Sequence, residues 1–269
     1  MSEKRTFGLT AFPLPKNAEG KTYFAQSPGH GRFATAFRQL VEDPGLGVLT
    51  GDAGVGKTVA MRNSCNALTR PDHLVIYLCH TNISSLDLYR SIAHELGVTV
   101  AHRRGDLWRN IKKGLVELVD DKNISPVVVI DEAQNLSDDF LIDLAAFLNF
   151  AFDSRDLLTL WLVGLPPLTR KLHTHQHAAL ATRIAAEIRL DPLEREAFQA
   201  ALDHGFKAVG VSKKLLSDPA TEMLYRSSRG VLRVASKLLR TALRVAHARN
   251  QSFVDEHVMQ GALDEIGAV

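Results

Sequence analysis

GDAGVGKT (residues 51–58) matches the phosphate-loop pattern G-x-x-x-x-G-K-[ST] at every fixed position. Its glycines allow the backbone to curl until successive N–H groups point at one anion, a conformation that residues with a Cβ resist. Lys57 adds positive charge for the β and γ phosphates, and Thr58 offers a hydroxyl ligand to Mg²⁺ at the start of a helix. We therefore predict that a nucleotide is bound by Gly51, Asp52, Ala53, Gly54, Val55, Gly56, Lys57 and Thr58.

The segments around this loop alternate between apolar runs and helical patterns. Residues 45–50 are predicted to form a short buried strand before the loop, and residues 59–68 a helix after it. Further buried strands are predicted at residues 73–79, 126–130, 157–163 and 184–190. Repeated strand, helix, strand units predict an α/β fold with a doubly wound parallel sheet.

From Asp191 onward the pattern is helical only. Helices are predicted at residues 194–209, 218–227, 231–249 and 254–266. We therefore place a domain boundary near Leu190 and predict three parts. These are an N-terminal lead-in and helix that pack near the nucleotide site (1–44), an α/β nucleotide-binding domain (45–190) and a C-terminal all-helical lid (191–269).

The composition is that of an ordinary globular protein. Of the 269 residues, 45% are hydrophobic and 23% are charged. No apolar run is long enough to span a bilayer, and the polar N-terminus MSEKRTFGLT lacks the apolar segment of a signal peptide. We therefore expect a cytoplasmic protein without a membrane contact, in which Cys65 and Cys79 are buried and reduced. The net charge of +2 is too small to argue for nucleic-acid binding by itself.

A second nucleotide motif follows the strand predicted at residues 126–130. The run PVVVI delivers Asp131 and Glu132 to the carboxyl end of that strand. Ligands of open parallel sheets bind beyond the carboxyl ends of the strands, so we expect these acids beside the phosphate loop. Asp131 is suited to hold the Mg²⁺ shell, and Glu132 to polarise the attacking water. The two motifs together predict ATP as the substrate and Mg²⁺ as the cofactor.

Scattered aromatic residues precede the first predicted strand. Phe7, Phe12, Tyr23 and Phe24 lie in an irregular segment that also contains prolines. Tyr23 or Phe24 is suited to pack over a bound adenine as a lid, and ordinary core packing explains the same residues equally well. Both interpretations stay open at the level of the sequence.

With the phosphate loop, DEAQ after an apolar strand, an arginine before the last strand and G-x-x-R in the helical region, the chain resembles the AAA+ ATPases. More narrowly, it is similar to the ExeA/GspA-type ATPases and to their transposition relatives of the TniB, TnsC, MuB and IstB type. The resemblance covers about residues 5–265. Its sharpest pieces are FGLTAFP, GDAGVGKT, VVVIDEAQNL, LWLVGLPPL and RIAAEIRLDPL.

The resemblance implies roles for two arginines. Arg183, directly before the strand predicted at residues 184–190, stands where these proteins carry the arginine finger that reaches the γ-phosphate in a neighbouring subunit. Arg233, in the GVLR run of residues 230–233, matches sensor 2, the lid arginine that closes on the same nucleotide. The chain departs from the family after LWLV, where Leu165 replaces the usual polar sensor 1 residue, commonly glutamine. We therefore expect slow hydrolysis.

Basic residues between the second and third predicted strands are candidates for contact with duplex DNA. Five cations fall within eleven residues, opposed only by Asp106. In the transposition relatives this region grips DNA, so the resemblance implies contacts with backbone phosphates, while a solvated surface explains the same residues equally well. The five are Arg103, Arg104, Arg109, Lys112 and Lys113.

Two further groups of polar residues favour a structural role. Cations recur at helical spacing after residue 228 and are predicted to form one stripe, which is typical of a solvated helix face, while contact with DNA or a partner stays open as the alternative. That stripe comprises Arg229, Arg233, Lys237, Arg240 and Arg244. The alternating histidines His173, His175 and His177 resemble a metal tract, but the spacing and the missing further ligand favour polar loop residues.

The resemblance implies a homo-oligomer, as a ring or helical filament, that forms with ATP on duplex DNA without sequence preference. Its function is then to select a transposition target and to activate a transposase. Two alternatives stay open: an ExeA-like ATPase of a secretion apparatus, and a STAND-type regulator that binds a protein partner. ExeA-like proteins usually add a membrane span and a peptidoglycan-binding domain, and because residues 1–269 carry neither, we expect the transposition role.

Overall fold

The computed structural model describes residues 3–24, 27–69, 71–79, 81–151 and 154–267. The chain forms two compact units. We call the described residues of 31–51 and 60–190 the sheet unit, and the described residues of 1–30, 52–59 and 191–269 the helical unit. The domain boundaries predicted after residues 44 and 190 stay a prediction.

Five strands form the sheet of the sheet unit. They are β1 (Leu46–Gly51), β2 (His73–Leu78), β3 (Ser125–Ile130), β4 (Thr159–Gly164) and β5 (Ile184–Leu190). All neighbouring pairs are parallel, in the order β2-β3-β4-β1-β5. The predicted α/β fold with a doubly wound parallel sheet and a C-terminal helical region is confirmed.

The helices of the described residues follow in chain order. They are α1 (Glu3–Phe7), α2 (Pro28–Glu42), α3 (Lys57–Asn66), α4 (Ser85–Glu95), α5 (Arg104–Val116), α6 (Asp138–Phe147), α7 (Pro167–Leu172), α8 (Ala178–Ala181), α9 (Arg195–Ala208), α10 (Asp218–Ser228), α11 (Leu232–Ala248) and α12 (Glu256–Ile266). No helix among the described residues is both long and apolar enough to cross a membrane.

Close packing holds β1 between β4 and β5. Every residue of β1 and β4 is buried. A Cβ at Gly47 of β1 would lie 2.6 Å from the Trp161 ring of β4, so only glycine fits there. Phe33 and Phe37 of α2 pack against the same indole, with ring centroids 5.2 and 6.0 Å away. This packing fixes the strand that leads into residues 51–58.

The prediction that residues 73–79 form a strand buried on both faces is wrong. β2 is an edge strand, and Val75 and Tyr77 are 37% and 48% exposed. Cys79 is exposed, against expectation, because it follows this edge strand. Cys65 is partly buried, and burial raises the pKa of its thiol to about 12. The prediction of a buried strand is also wrong for residues 184–190, because β5 forms the other edge and its residues alternate between partly buried and exposed up to Leu190.

Two helical details also differ from the predictions, and α5 begins at Arg104 with Arg103 as its N-cap. Arg229 lies outside the predicted basic stripe of α11, because it caps the end of α10 in a left-handed conformation with φ +49°. α6 was not predicted, although the Ser137 hydroxyl accepts the Phe140 N–H at 3.2 Å as an N-cap.

The helical unit has its own hydrophobic core. α11 buries one face, which includes Ala235, Leu239 and Leu243, and α9, α10 and α12 contribute to the same core. The turn between α10 and α11 requires Gly230, since its φ is +74° and an added Cβ would lie 2.0 Å from the Leu193 carbonyl oxygen.

Candidate nucleotide-binding site

The phosphate loop belongs to the helical unit from Asp52 to Val59. Gly54 and Gly56 have φ angles of +89° and +108°, the region that favours glycine. The Lys57 side chain is buried, and its Nζ donates to the Asp52 carbonyl at 3.0 Å. A triphosphate is bound by backbone N–H groups of a curled loop and by a lysine amine beside it. The residues present therefore fit a nucleotide.

Arg233 lies directly against this loop. Its backbone N–H donates to the Gly54 carbonyl at 3.2 Å, one residue into α11. A Cβ at Gly54 would lie 2.7 Å from Arg233 Cβ and 3.0 Å from Val231. The glycine at position 54 therefore permits both the loop conformation and the approach of α11. The Arg233 side chain is exposed, and its role as sensor 2 stays a prediction.

His30 is a residue at this loop that the sequence did not reveal. Its side chain is buried, and its Nε2 lies 3.5 Å from the Cβ position of Gly56. Its Nδ1 shares a hydrogen bond with the Ser27 hydroxyl. Burial lowers the pKa of His30 below its ordinary value. A lone histidine at the start of a helix gives no signal in the sequence that it will be buried.

The two candidate adenine lids differ in their surroundings. Tyr23 is half-buried beside His30, with ring centroids 6.1 Å apart, and burial raises its pKa to about 12. Phe24 is buried in the core of the helical unit, 5.8 Å from the His204 ring. Core packing therefore accounts for Phe24, whereas a contact between Tyr23 and adenine stays a prediction.

The acidic motif lies at the carboxyl end of β3 in the sheet unit. Asp131 is buried; its Oδ2 accepts the Tyr77 hydroxyl at 2.8 Å and its Oδ1 accepts the Glu132 N–H at 2.9 Å. Glu132 has a φ of +55°, and its carbonyl accepts the Thr81 hydroxyl at 2.9 Å. Burial, followed by the hydrogen bond to Asp131, raises the pKa of Tyr77. Asp131 is therefore buried and hydrogen-bonded, whereas the side chain of Glu132 is exposed.

A side-chain amide links this strand end to the next one. Gln134 Nε2 donates to Glu132 Oε2 at 2.8 Å, and Gln134 Oε1 accepts the Leu165 N–H at 3.0 Å. Gln134 lies inside the DEAQ motif, but nothing in the sequence indicated that it would contact the position after β4.

Arg183 stands far from the acids of its own chain. The ladder aligns Ile130 with Leu162, Leu162 with Val48, and Val48 with Glu187. Arg183 is therefore about five residues below the level of Asp131 and three strands away. With about 3.3 Å per residue and about 4.8 Å between strands, the two backbones are roughly 20 Å apart. An arginine side chain does not reach that far.

The cations predicted to bind DNA make contacts within the sheet unit. Arg104 forms an ion pair with Asp143 of α6, and its guanidinium lies 5.0 Å from the centre of the Trp108 ring. Lys112 donates to the Asn149 carbonyl at 2.7 Å, and burial lowers its pKa. These contacts join α5 to α6 and to the segment after it, so groups outside residues 103–113 also contact these cations.

The remaining cations of this group are exposed. Arg109 pairs with Asp106 at 3.3 Å, and Lys113 with Glu117 at 3.5 Å. Arg103 makes no ion pair with any described residue. Exposed pairs of this kind are worth about 0 to 1 kcal/mol, so they restrain the side chains only weakly.

The other two polar groups also have local partners. In the basic stripe, Arg240 stacks on Phe12 with 4.0 Å to the ring centre, and Arg244 pairs with Glu265. The prediction of polar loop histidines is wrong for His177, which is buried, with its Nε2 3.1 Å from Asp138 Oδ1. His173 is exposed and pairs with Glu187 at 3.0 Å.

Comparison with known proteins gives one family and several relatives. Residues 39–172 match the family model described as an AAA domain. The chain is 28% identical over 251 residues to the general secretion pathway protein A of Aeromonas hydrophila. That match covers 90% of this chain but only 44% of the relative, so the chain spans less than half of that protein.

Solved structures share the fold at low sequence identity. Cdc6p from Pyrobaculum aerophilum superposes with a TM-score of 0.67 at 18% identity, covering 98% of this chain and 71% of that one. Drosophila ORC bound to DNA superposes with a TM-score of 0.73 at 18% identity, covering 100% of this chain and 67% of that one. The Thermotoga maritima RuvB Holliday junction branch migration motor superposes with a TM-score of 0.63 at 16% identity, covering 95% of this chain and 73% of that one. At such identities the likeness concerns the fold alone.

Proposed function

The chain belongs to the AAA+ ATPases, of the ExeA/GspA-like group, and from this premise we propose that it is the ATP-hydrolysing module of a secretion apparatus. The observation that carries the proposal is the identity of 28% to a general secretion pathway protein over 90% of the chain. The ExeA-like alternative therefore fits the comparisons better than transposition target selection does.

The residues of the two motifs divide the work on ATP. The curled backbone at Gly54 and Gly56, together with Lys57, is suited to bind the phosphates. Thr58 and Asp131 would hold Mg²⁺, which neutralises charge on the phosphates when bound. Glu132 orients and polarises water. Arg233, at the start of α11, is proposed to contact the same nucleotide as sensor 2. Tyr23 is proposed as the contact for adenine.

The contacts of the five cations at residues 103–113 also favour a protein partner over duplex DNA. Arg104 pairs with Asp143 of α6 and Lys112 donates to the Asn149 carbonyl after α6, whereas the exposed pairs of Arg109 and Lys113 are local to α5 and weak. Counterion release supplies the affinity for duplex DNA, and it requires cations that are available to phosphates. Two of the five candidates, Arg104 and Lys112, are already engaged within the sheet unit, which reduces the charge that a duplex could use.

Turnover measurements on three proteins test the ATPase roles. The parent protein hydrolyses ATP with Mg²⁺, Lys57→Ala loses nucleotide binding because the phosphate charge is removed, and Glu132→Gln keeps ATP bound but turns over about 10²-fold or more slowly. Titration with a fluorescent ATP analogue separates the two variants. Tight binding by the Lys57 variant would refute the site.

Two further measurements separate secretion from transposition. A chimera in which this chain replaces the matching 44% of the Aeromonas protein should support secretion, and the same chimera with Lys57→Ala should not. A 40-base-pair duplex at low salt should change neither turnover nor ATP affinity. If the parent protein binds the duplex in an ATP-dependent and salt-sensitive way and the chimera does not support secretion, the transposition role is favoured instead.

A further inference from the structure

The position after β4 lacks a polar side chain, yet it makes a polar contact. The side chain of Leu165 is apolar, but its backbone N–H donates to Gln134 Oε1 at 3.0 Å. The other end of the same amide donates through Nε2 to Glu132 Oε2 at 2.8 Å. One side chain therefore connects the proposed water-polarising carboxylate with the loop after β4.

The surroundings of Gln134 allow this contact and fix it. A Cβ at Gly164 would lie 2.6 Å from Gln134 Oε1 and 3.3 Å from its backbone nitrogen, so the amide packs where only glycine leaves room. The turn that carries Gln134 is closed by the Asn135 N–H on the Glu132 carbonyl at 3.0 Å and by the Leu136 N–H on the Ala133 carbonyl at 3.1 Å. Both hydrogen-bond distances are ordinary for amides.

We propose that Gln134 is a positioning residue, and that it restrains the Glu132 carboxylate from the loop after β4 in place of a polar side chain at residue 165. An amide suits this task, because it donates to a carboxylate and accepts a backbone N–H at the same time. Glu132 is otherwise exposed, with several side-chain rotamers open to it. Fixing one of them sets where the carboxylate meets water. This inference rests on the proposed role of Glu132 in hydrolysis.

The test compares Gln134→Met with Gln199→Met. Methionine keeps the length of the side chain but forms neither hydrogen bond, so the kcat of Gln134→Met should fall about 10- to 100-fold while KM and the Kd for ATP stay within about threefold. Gln199 on α9 also donates through its Nε2 to a carboxylate, that of Asp203 at 2.9 Å, so Gln199→Met removes a matched contact outside the site and its kcat should match that of the parent. Gly164→Ala leaves Gln134 in place but displaces its amide, and should lower kcat as Gln134→Met does.

Hydrogen exchange at the Leu165 amide gives a readout without turnover. Exchange should be faster in Gln134→Met and Gly164→Ala than in the parent, and unchanged in Gln199→Met. A Gln134→Met protein with kcat within twofold of the parent overturns the proposal, as does an equal loss in Gln199→Met. A parent without ATPase activity would instead refute the proposed function, and the exchange rates would then decide whether Gln134 holds the loop. If Gln134→Met does not fold, Gly164→Ala decides in its place.

Discussion

Burial of His30 makes the stability of the helical unit depend on pH. The folded state opposes protonation of this imidazole, since burial lowers its pKa below the ordinary 6.5. The unfolded chain binds the proton first, so this stabilisation is complete above about pH 6.5 and is lost as the pH falls from there towards the pKa of the folded state. We expect His30→Gln to lose less thermal stability than the parent between pH 7.5 and 5.5.

A matched control separates His30 from the other histidines. The His94 side chain on α4 is 81% exposed, so His94→Gln should lose as much stability as the parent over the same pH range. Melting temperatures at five pH values measure all three proteins. Equal pH dependence in the parent and His30→Gln would contradict the role given to burial.

The roles of single residues could be predicted where a local motif requires them. They could not be predicted where the role depends on a contact with a residue distant in the sequence. Lys57 and Asp131 follow from local patterns, because phosphate and Mg²⁺ demand those groups at those spacings. Tyr77, which donates to Asp131, lies 54 residues away and appears in the sequence only as part of an apolar run. Its contact depends on the pairing of β2 with β3, which no local pattern encodes.

The cations of α5 either stabilise the fold or bind a ligand, and substitutions at Arg103 and Arg104 distinguish these two roles. Arg104 joins α5 to α6 through Asp143, whose carboxylate is 17% exposed and has a second oxygen without a partner in the described part of the chain. Arg104→Glu places two carboxylates together and should lower the free energy of unfolding by about 1 to 2 kcal/mol. Arg103→Glu should change it by less than about 0.5 kcal/mol.

Urea denaturation measures both variants, and the neighbouring arginine is the control. Asp143→Asn in the Arg104→Glu background should recover part of the loss, because the like-charge contact disappears. Equal stability of the two arginine variants would show that the contact between α5 and α6 contributes nothing. Duplex binding that fails only in Arg103→Glu would favour a ligand for this helix.

Elements were predictable in type, and their neighbours were not. Apolar runs gave β1, β3 and β4 to within two residues, because strands that cross a core must be apolar. The bounds of β5 were also predicted, although it is an edge strand whose residues alternate between partly buried and exposed. The run at residues 73–78 is as apolar as theirs, yet β2 lies at an edge. Strand order is decided by packing across the whole sheet. The sequence before and at the start of α6 contains an N-cap serine and two acidic residues, which are helix signals. The apolar residues of α6, which include Leu141, Leu144 and Phe147, are as compatible with a buried strand as with a helix.

At the scale of the molecule, the sheet separates Arg183 from the acids that it is proposed to assist. The strand register leaves roughly 20 Å between Arg183 and Asp131 in one chain. If Arg183 contributes to hydrolysis, it does so on the nucleotide of a second copy. Arg183 also lines an open groove of about 1170 Å³ at the start of β5, with residues from α2 and α6. Turnover per chain should therefore rise with protein concentration.

Mixing two inactive variants tests this shared site. Arg183→Ala should keep its affinity for nucleotide and lose about 10³-fold in kcat, whereas Arg170→Ala, at an exposed arginine of α7, should retain activity. In an equal mixture of Arg183→Ala and Glu132→Gln, about a quarter of head-to-tail interfaces pair an intact Glu132 with an intact Arg183. Those interfaces should restore turnover, since each variant supplies what its neighbour lacks. An Arg183→Ala protein that regains nothing at any mixing ratio would place the role of this arginine within its own chain or remove it altogether.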